Sequence, residues 1–224
     1  MIEYDRQANT MVLKLVYYGP ALSGKTTNLM SLHEMLTGSD CGELMILDTA
    51  SERTIYFDLL PFFLTAPSGL KIKVKVFTVP GQVKHDATRK AVLQRADGVA
   101  FIADSQVEES LNNATSFENL ETNLALVGLN PETMPLVIQY NKCDLPNISL
   151  ESTIRKTWQS TGIPLLFASA LEGWGVIETF RCLALSTYAC IDAHYSLHAQ
   201  HGLSGESFVS QLISPDNNVY MQER

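Results

Sequence analysis

Two hydrophobic periods take turns along this chain. Met11 to Tyr18 (MVLKLVYY) is a mostly apolar, β-rich run that stops at Gly19, and from Lys25 to Leu36 apolar residues recur at helical spacing, at Leu29, Leu32, Met35 and Leu36. The pattern predicts strand, glycine turn, helix. Ile2 to Tyr4 can return onto that strand through the Gln7–Asn9 turn as a short hairpin. After an irregular stretch, Lys71 to Val76 alternates, with Ile72, Val74 and Val76 on one face and three lysines on the other. That is a strand with one wet face, and the lysine stripe reads as a guarded sheet edge. Helical spacing returns at Val83–Arg95, Glu109–Val127, Ile148–Thr161 and Val176–Ile191, separated by strand-like runs at Gly98–Ala103, Leu136–Tyr140 and Leu165–Ala168. Apolar strands alternating with helices predict an α/β fold, a doubly wound, mostly parallel six-stranded sheet with one antiparallel edge and helices on both faces. Past Asp192 the pattern fades, apart from a short helix near Ser207–Ile213. The expected division is one domain at 1–191 and a partly irregular C-terminal extension at 192–224.

Composition narrows the class. With 224 residues, 46% of them hydrophobic and 18% charged, the chain can build a core without disulfides or a structural metal. Its net charge of -8 is the wrong sign for a partner recognised through phosphate backbones, so nucleic acid is not expected. The longest apolar run, Leu59–Ala66, carries Pro61 and is far shorter than the ~20 residues of a membrane span. No basic leader precedes an apolar stretch, Ile2 stands where myristoylation needs glycine, and no prenylation box ends the chain. Neither a span nor a lipid anchor is expected. Cys41, Cys143, Cys182 and Cys190 form no CxxC pair, which points to a reducing cytoplasm.

The chemistry lies at the ends of the predicted strands. Gly19-Pro20-Ala21-Leu22-Ser23-Gly24-Lys25-Thr26 fits G-x-x-x-x-G-K-[ST], and with Thr27 it forms a phosphate loop between a buried strand and a helix. Successive backbone N–H groups there face phosphate, Lys25 reaches the outer phosphates and Thr26 binds Mg²⁺. Asn141-Lys142-Cys143-Asp144 follows another strand, where a doubly wound sheet holds its ligand. The Asp144 carboxylate can accept both neighbouring donors of guanine and is left unpaired by adenine. Ser169-Ala170-Leu171 follows the next strand, with backbone donors suited to the guanine oxygen. Between these, Thr78 opens TVPGQ, in which Gly81 can donate its N–H to a terminal phosphate and Gln82 can orient a water. Thr54 is placed to complete a Mg²⁺ shell. Beside it, Arg53 either neutralises the transferring phosphoryl group or makes a surface ion pair.

The segments YYGPALSGKTTNL, ERTIYFDLLP, TVPGQV, DGVAFIADSQ, ENLETNLALVGL and VIQYNKCDLPN closely resemble the bacterial gliding-motility GTPases, the MglA family of Ras-like small GTPases, from about Ile2 to Ile191. Thr78 is diagnostic, since most small GTPases have Asp there. The resemblance implies a GDP/GTP switch with Mg²⁺ that sets cell polarity for gliding or pilus-driven motility. It implies a roadblock-domain homodimer (MglB-like) as activator, polarity and motility effectors as partners, and Arg53 as an arginine finger in cis. Three features depart from the family. Ala21 replaces the usual glycine beside the γ-phosphate, where its methyl would obstruct Gln82 and Arg53 and slow turnover. Leu171 replaces a lysine common in Ras-like proteins, and the tail lies beyond the resemblance. Two alternatives stand beside a GTPase. Ala21 prompts a GTP-binding scaffold with negligible turnover. A P-loop nucleotide kinase would need an arginine-rich lid, and only seven arginines are scattered along the chain.

Weaker signals lie elsewhere. His194, His198 and His201 would share one face if the last helix continued. Tyr56, Phe57, Phe62 and Phe63 read equally as core or as a mobile segment for a partner.

Overall fold

A computed structural model of the protein describes residues 2–36, 41–47, 57–80 and 86–213. In chain order the elements are β1 (Glu3–Asp5), β2 (Thr10–Tyr18), α1 (Lys25–Met35), β3 (Met45–Leu47), β4 (Phe57–Thr65), β5 (Lys71–Thr78), α2 (Asp86–Leu93), β6 (Gly98–Asp104), α3 (Ser110–Leu126), β7 (Leu136–Asn141), α4 (Glu151–Trp158), β8 (Leu165–Phe167), α5 (Val176–Tyr195), α6 (Leu197–His201) and α7 (Gly205–Ile213). The sheet runs β3-β4-β5-β2-β6-β7-β8, with β1 paired to the start of β2. From β5 through β8 the pairing is parallel, which demands a crossover between strands, and the predicted helices supply it.

The α/β class stands, but the strand count does not: among the described residues the sheet has eight strands. Three of its pairings, β1–β2, β3–β4 and β4–β5, are antiparallel. Part of the stretch read as irregular is β4. Its inward residues Asp58, Leu60, Phe62 and Leu64 are buried, but Leu59, Pro61 and Phe63 on the other face are apolar too, which hides the period of two. Phe62 stacks on Phe180 at 4.8 Å between ring centroids, whereas Phe63 is half exposed under the Lys73 ammonium. Tyr56 lies outside the described residues. The lysine stripe is not an edge either, because β5 is sandwiched between β4 and β2 and carries its lysines on the solvent side.

One core layer joins α1 and α5 to the sheet, and the other carries α2 and α3. Beyond α5, Ser196 adopts a left-handed conformation (φ 51) that breaks the helix. Leu197, Leu203, Phe208, Val209 and Leu212 of the following segment join the same core as Leu60 and Leu64 of β4. The Tyr188 hydroxyl donates to the Leu203 carbonyl at 2.6 Å, fastening this segment to α5. The break at Ser196 also separates the three histidines: His194 Nδ1 sits 2.8 Å from the Cys190 carbonyl and His201 Nδ1 2.8 Å from Ser68 Oγ.

Candidate functional site

β2 ends at the buried Tyr18, and the chain turns through Gly19–Gly24 into α1. Both terminal glycines are forced by what surrounds them. A Cβ on Gly19 (φ 147) would lie 2.1 Å from the Ile102 carbonyl oxygen of β6, and one on Gly24 (φ 93) would lie 2.2 Å from Asn141 Nδ2. Inside the loop Ser23 is fully buried, while Ala21 and Leu22 are exposed on its outer side. The Lys25 ammonium is almost wholly buried and donates to the carbonyls of Gly19 (3.1 Å) and Pro20 (2.6 Å). Burial pushes it down to about 7, with the Arg89 cation adding to the fall and Asp58 opposing it. A polyphosphate beside it would return the lysine to its charged form.

At the start of α1 the Thr26 hydroxyl donates to Asp58 Oδ2 at 2.6 Å, and the Thr78 hydroxyl donates to the same oxygen at 2.8 Å. The Asp58 amide in turn donates to Thr78 Oγ1 at 2.9 Å. Thr78 therefore points to Asp58 across the β4–β5 ladder. Asp58 is the residue that sequence reasoning missed. It is the sole charge in the apolar run Phe57–Thr65, and a carboxylate in a buried strand was the available signal. Past Thr78, the Val79 amide donates to the Tyr17 carbonyl at 3.2 Å, keeping the chain against β2 as far as Pro80. Arg53, Thr54, Gly81 and Gln82 lie outside the described residues.

The third part of the site is held by Asn141. Its Nδ2 donates to the Ser23 carbonyl at 2.9 Å, and its Oδ1 accepts the Ala170 amide at 2.8 Å. One buried side chain thus ties the phosphate loop to both loops that follow β7 and β8. Lys142, left-handed at φ 66, pairs through Nζ with the buried Asp104 carboxylate at 2.6 Å. Around Asn141 opens a cavity of about 200 Å³ lined by Gly24, Thr27, Lys142, the exposed Asp144, Ala170 and Leu171, with Leu22 and Leu145 at its rim. The Ser169 amide donates to the Trp174 carbonyl, and its hydroxyl accepts the Glu172 amide at 3.3 Å. The backbone donors expected to meet a guanine oxygen are therefore, at Ser169 and Ala170, engaged within the protein.

A glycine-walled phosphate loop with a buried cation, a carboxylate shared by two hydroxyls and an acid-edged pocket suit a purine nucleotide with a divalent cation. No helix among the described residues is long and apolar enough to cross a membrane. No family model matches the chain. The mutual gliding-motility protein MglA of Myxococcus xanthus (strain DK1622) is 45% identical over 171 residues, covering 76% of this chain and 88% of that protein.

Proposed function

Since the chain belongs to the MglA family of small GTPases, we propose that it is a guanine-nucleotide switch that binds GDP and GTP with Mg²⁺, hydrolyses GTP, and regulates cell polarity and motility by gliding or type IV pili from the cytoplasm. The observation that carries this reading is the double tie of Asn141, which sets the phosphate loop and the Asp144 wall around one pocket. In it Lys25 and the loop amides hold the phosphates, and Asp144 accepts the two guanine donors. The donor set also fits Mg²⁺: the Thr26 hydroxyl and the Asp58 carboxylate are hard oxygen ligands already side by side, and Thr54 joins them in this reading. Bound there, the ion would neutralise charge on the phosphate oxygens. Gln82 orients the attacking water, Arg53 stabilises the charge that develops on the phosphoryl group, and Gly81 donates its amide to the terminal phosphate.

Single-turnover phosphate release from GTP, with and without a roadblock-domain (MglB-like) homodimer, tests the reading. Release accelerated by the homodimer is expected, and Gln82→Ala and Arg53→Ala should each reduce the stimulated rate while leaving nucleotide affinity nearly unchanged. An Arg53→Ala protein that releases phosphate at the unmodified rate excludes a finger in cis. Tight GTP binding with no release in either condition overturns the switch in favour of a scaffold, the reading that Ala21 favours. Ala21→Gly is expected to speed release, because a methyl beside the reacting groups costs most when Gln82 and Arg53 close in.

Asp58 gives an independent handle. Asp58→Asn keeps an acceptor for both hydroxyls but removes the charge, so the Mg²⁺ concentration that half-maximally slows GDP release should rise about 10-fold. An unchanged Mg²⁺ dependence would remove Asp58 from the metal site.

A further inference from the structure

Among the described residues Arg89 is the largest fully buried side chain, with 1% of its surface exposed. A guanidinium is costly to bury, and an apolar residue of similar size would pack an ordinary helix–sheet contact as well or better. What distinguishes this one is its two-sided grip. Nε donates to the Pro80 carbonyl at 2.9 Å, and Nη1 donates to Asn119 Oδ1 of α3 at 2.6 Å. Its guanidinium carbon lies over the Tyr18 ring, 5.3 Å from the centroid. Tyr18 is the last residue of β2, directly before the phosphate loop.

The partners are themselves braced. The Tyr18 hydroxyl donates to Asn119 Oδ1 and accepts from Asn123 Nδ2 at 3.1 Å. Asn123 Nδ2 also donates to Asp86 Oδ1 at 2.8 Å, and Asp86 pairs with Lys90 at 2.9 Å. One connected polar cluster therefore joins α2, α3, the end of β2 and the chain at Pro80. Pro80 immediately precedes Gly81 and Gln82.

We propose that Arg89 is a positioning residue for GTP hydrolysis: by holding Pro80 and Asn119 at once, its guanidinium fixes where the Gly81–Gln82 segment begins relative to the phosphate loop. This rests on the GTPase reading above. Only a planar fork spans both partners, and a lysine offers the charge without the second grip. Because Arg89 acts before the reacting atoms and not on the bound nucleotide, its loss shows in the rate and not in affinity. A displacement of ~1 Å at a catalytic group can cost about 100-fold in rate, so a partial loosening through Arg89 is expected to cost about 10-fold.

The test uses the full chain with saturating roadblock-domain homodimer. Arg89→Lys should lower single-turnover hydrolysis about 10-fold while GDP and GTP affinities change less than about 3-fold. Asn119→Ala, which leaves Arg89 in place but removes one grip and sits at a half-buried position, should fall between the two and keeps the test open if Arg89→Lys folds poorly. Hydrolysis at the unmodified rate in both variants, or affinity that falls in parallel with rate, overturns the proposal. Amide exchange of α2 in the GDP-bound proteins decides the geometry separately: faster exchange in both variants, with β6 and β7 unchanged, supports the clamp even if the unmodified protein proves not to hydrolyse GTP. Unchanged α2 exchange refutes it.

Discussion

Gly24→Ala is expected to abolish tight nucleotide binding and to lower the stability of the fold. Its Cβ would stand 2.2 Å from Asn141 Nδ2. Asn141 has nowhere to retreat, because its two side-chain atoms are held by the Ser23 carbonyl and the Ala170 amide. Left-handed backbone at a non-glycine residue costs about 1–2 kcal/mol, and each of two buried hydrogen bonds lost adds about 1–1.5 kcal/mol. The total of about 3–5 kcal/mol corresponds to at least roughly 100-fold in GDP affinity if the loop is where it is spent. Gly128→Ala is the control: its φ is 77, but no atom lies within 4 Å of the added Cβ. Denaturant unfolding and GDP titration of the two variants separate the clash from the backbone term. GDP binding by Gly24→Ala within a few-fold of the unmodified protein would contradict the close approach.

Asp144→Asn is the second large effect, and it concerns choice of base. The unmodified protein should bind GDP at least roughly 100-fold (~2.7 kcal/mol) more tightly than ADP, because adenine leaves the carboxylate unpaired. An amide presents one acceptor and one donor, so it can satisfy only one of the two guanine donors and sets its own N–H against the other. Selectivity should therefore collapse through weaker GDP binding, with ADP hardly changed. A competition titration with both nucleotides reads this directly. Comparable GDP and ADP affinities in the unmodified protein would defeat the guanine assignment itself. Asp144 is exposed on the cavity wall, so the exchange leaves the core untouched.

Legibility of the site followed the range of the forces that shape it. Gly19, Gly24 and Lys25 could be read because their spacing between one strand and one helix is local, although the atoms that force the two glycines, in Ile102 and Asn141, lie far along the chain; Asn141 and Asp144 could be read because they follow directly on an apolar strand. Asp58 could not be read in the same way: its partners are Thr26 and Thr78, 32 and 20 residues away, and only sheet order brings them together. Alternation in Lys71–Val76 revealed which face is wet, but it is silent on neighbours, so a strand flanked on both sides looked like an edge. β4 was obscured by apolar residues on both faces and by Pro61. That proline is tolerated where the next chain approaches through its carbonyl, which accepts the Gly42 amide at 2.8 Å. Of the two helices after Ser196, the 9-residue one was legible near Ser207–Ile213, whereas the 5-residue one is too short for periodicity to stand out.

The position of β2 sets a schedule for the nascent chain. This strand leaves the ribosome first among the long ones, yet it lies at the centre of the sheet, and Leu15 to Tyr18 wait for Gly98 to Phe101 as their parallel neighbours. Some 83 residues of synthesis separate Tyr18 from Phe101, roughly 4–17 s at about 5–20 residues per second. During that interval an apolar strand with two open edges has only β1, and later β5, to shelter it. The pocket around Asn141 closes later still, once Asp144 and Ala170 have emerged, so a nucleotide held there, as proposed, would brace the fold only near the end of synthesis. The central strand of a newly made copy is therefore open to aggregation before the pocket around Asn141 exists.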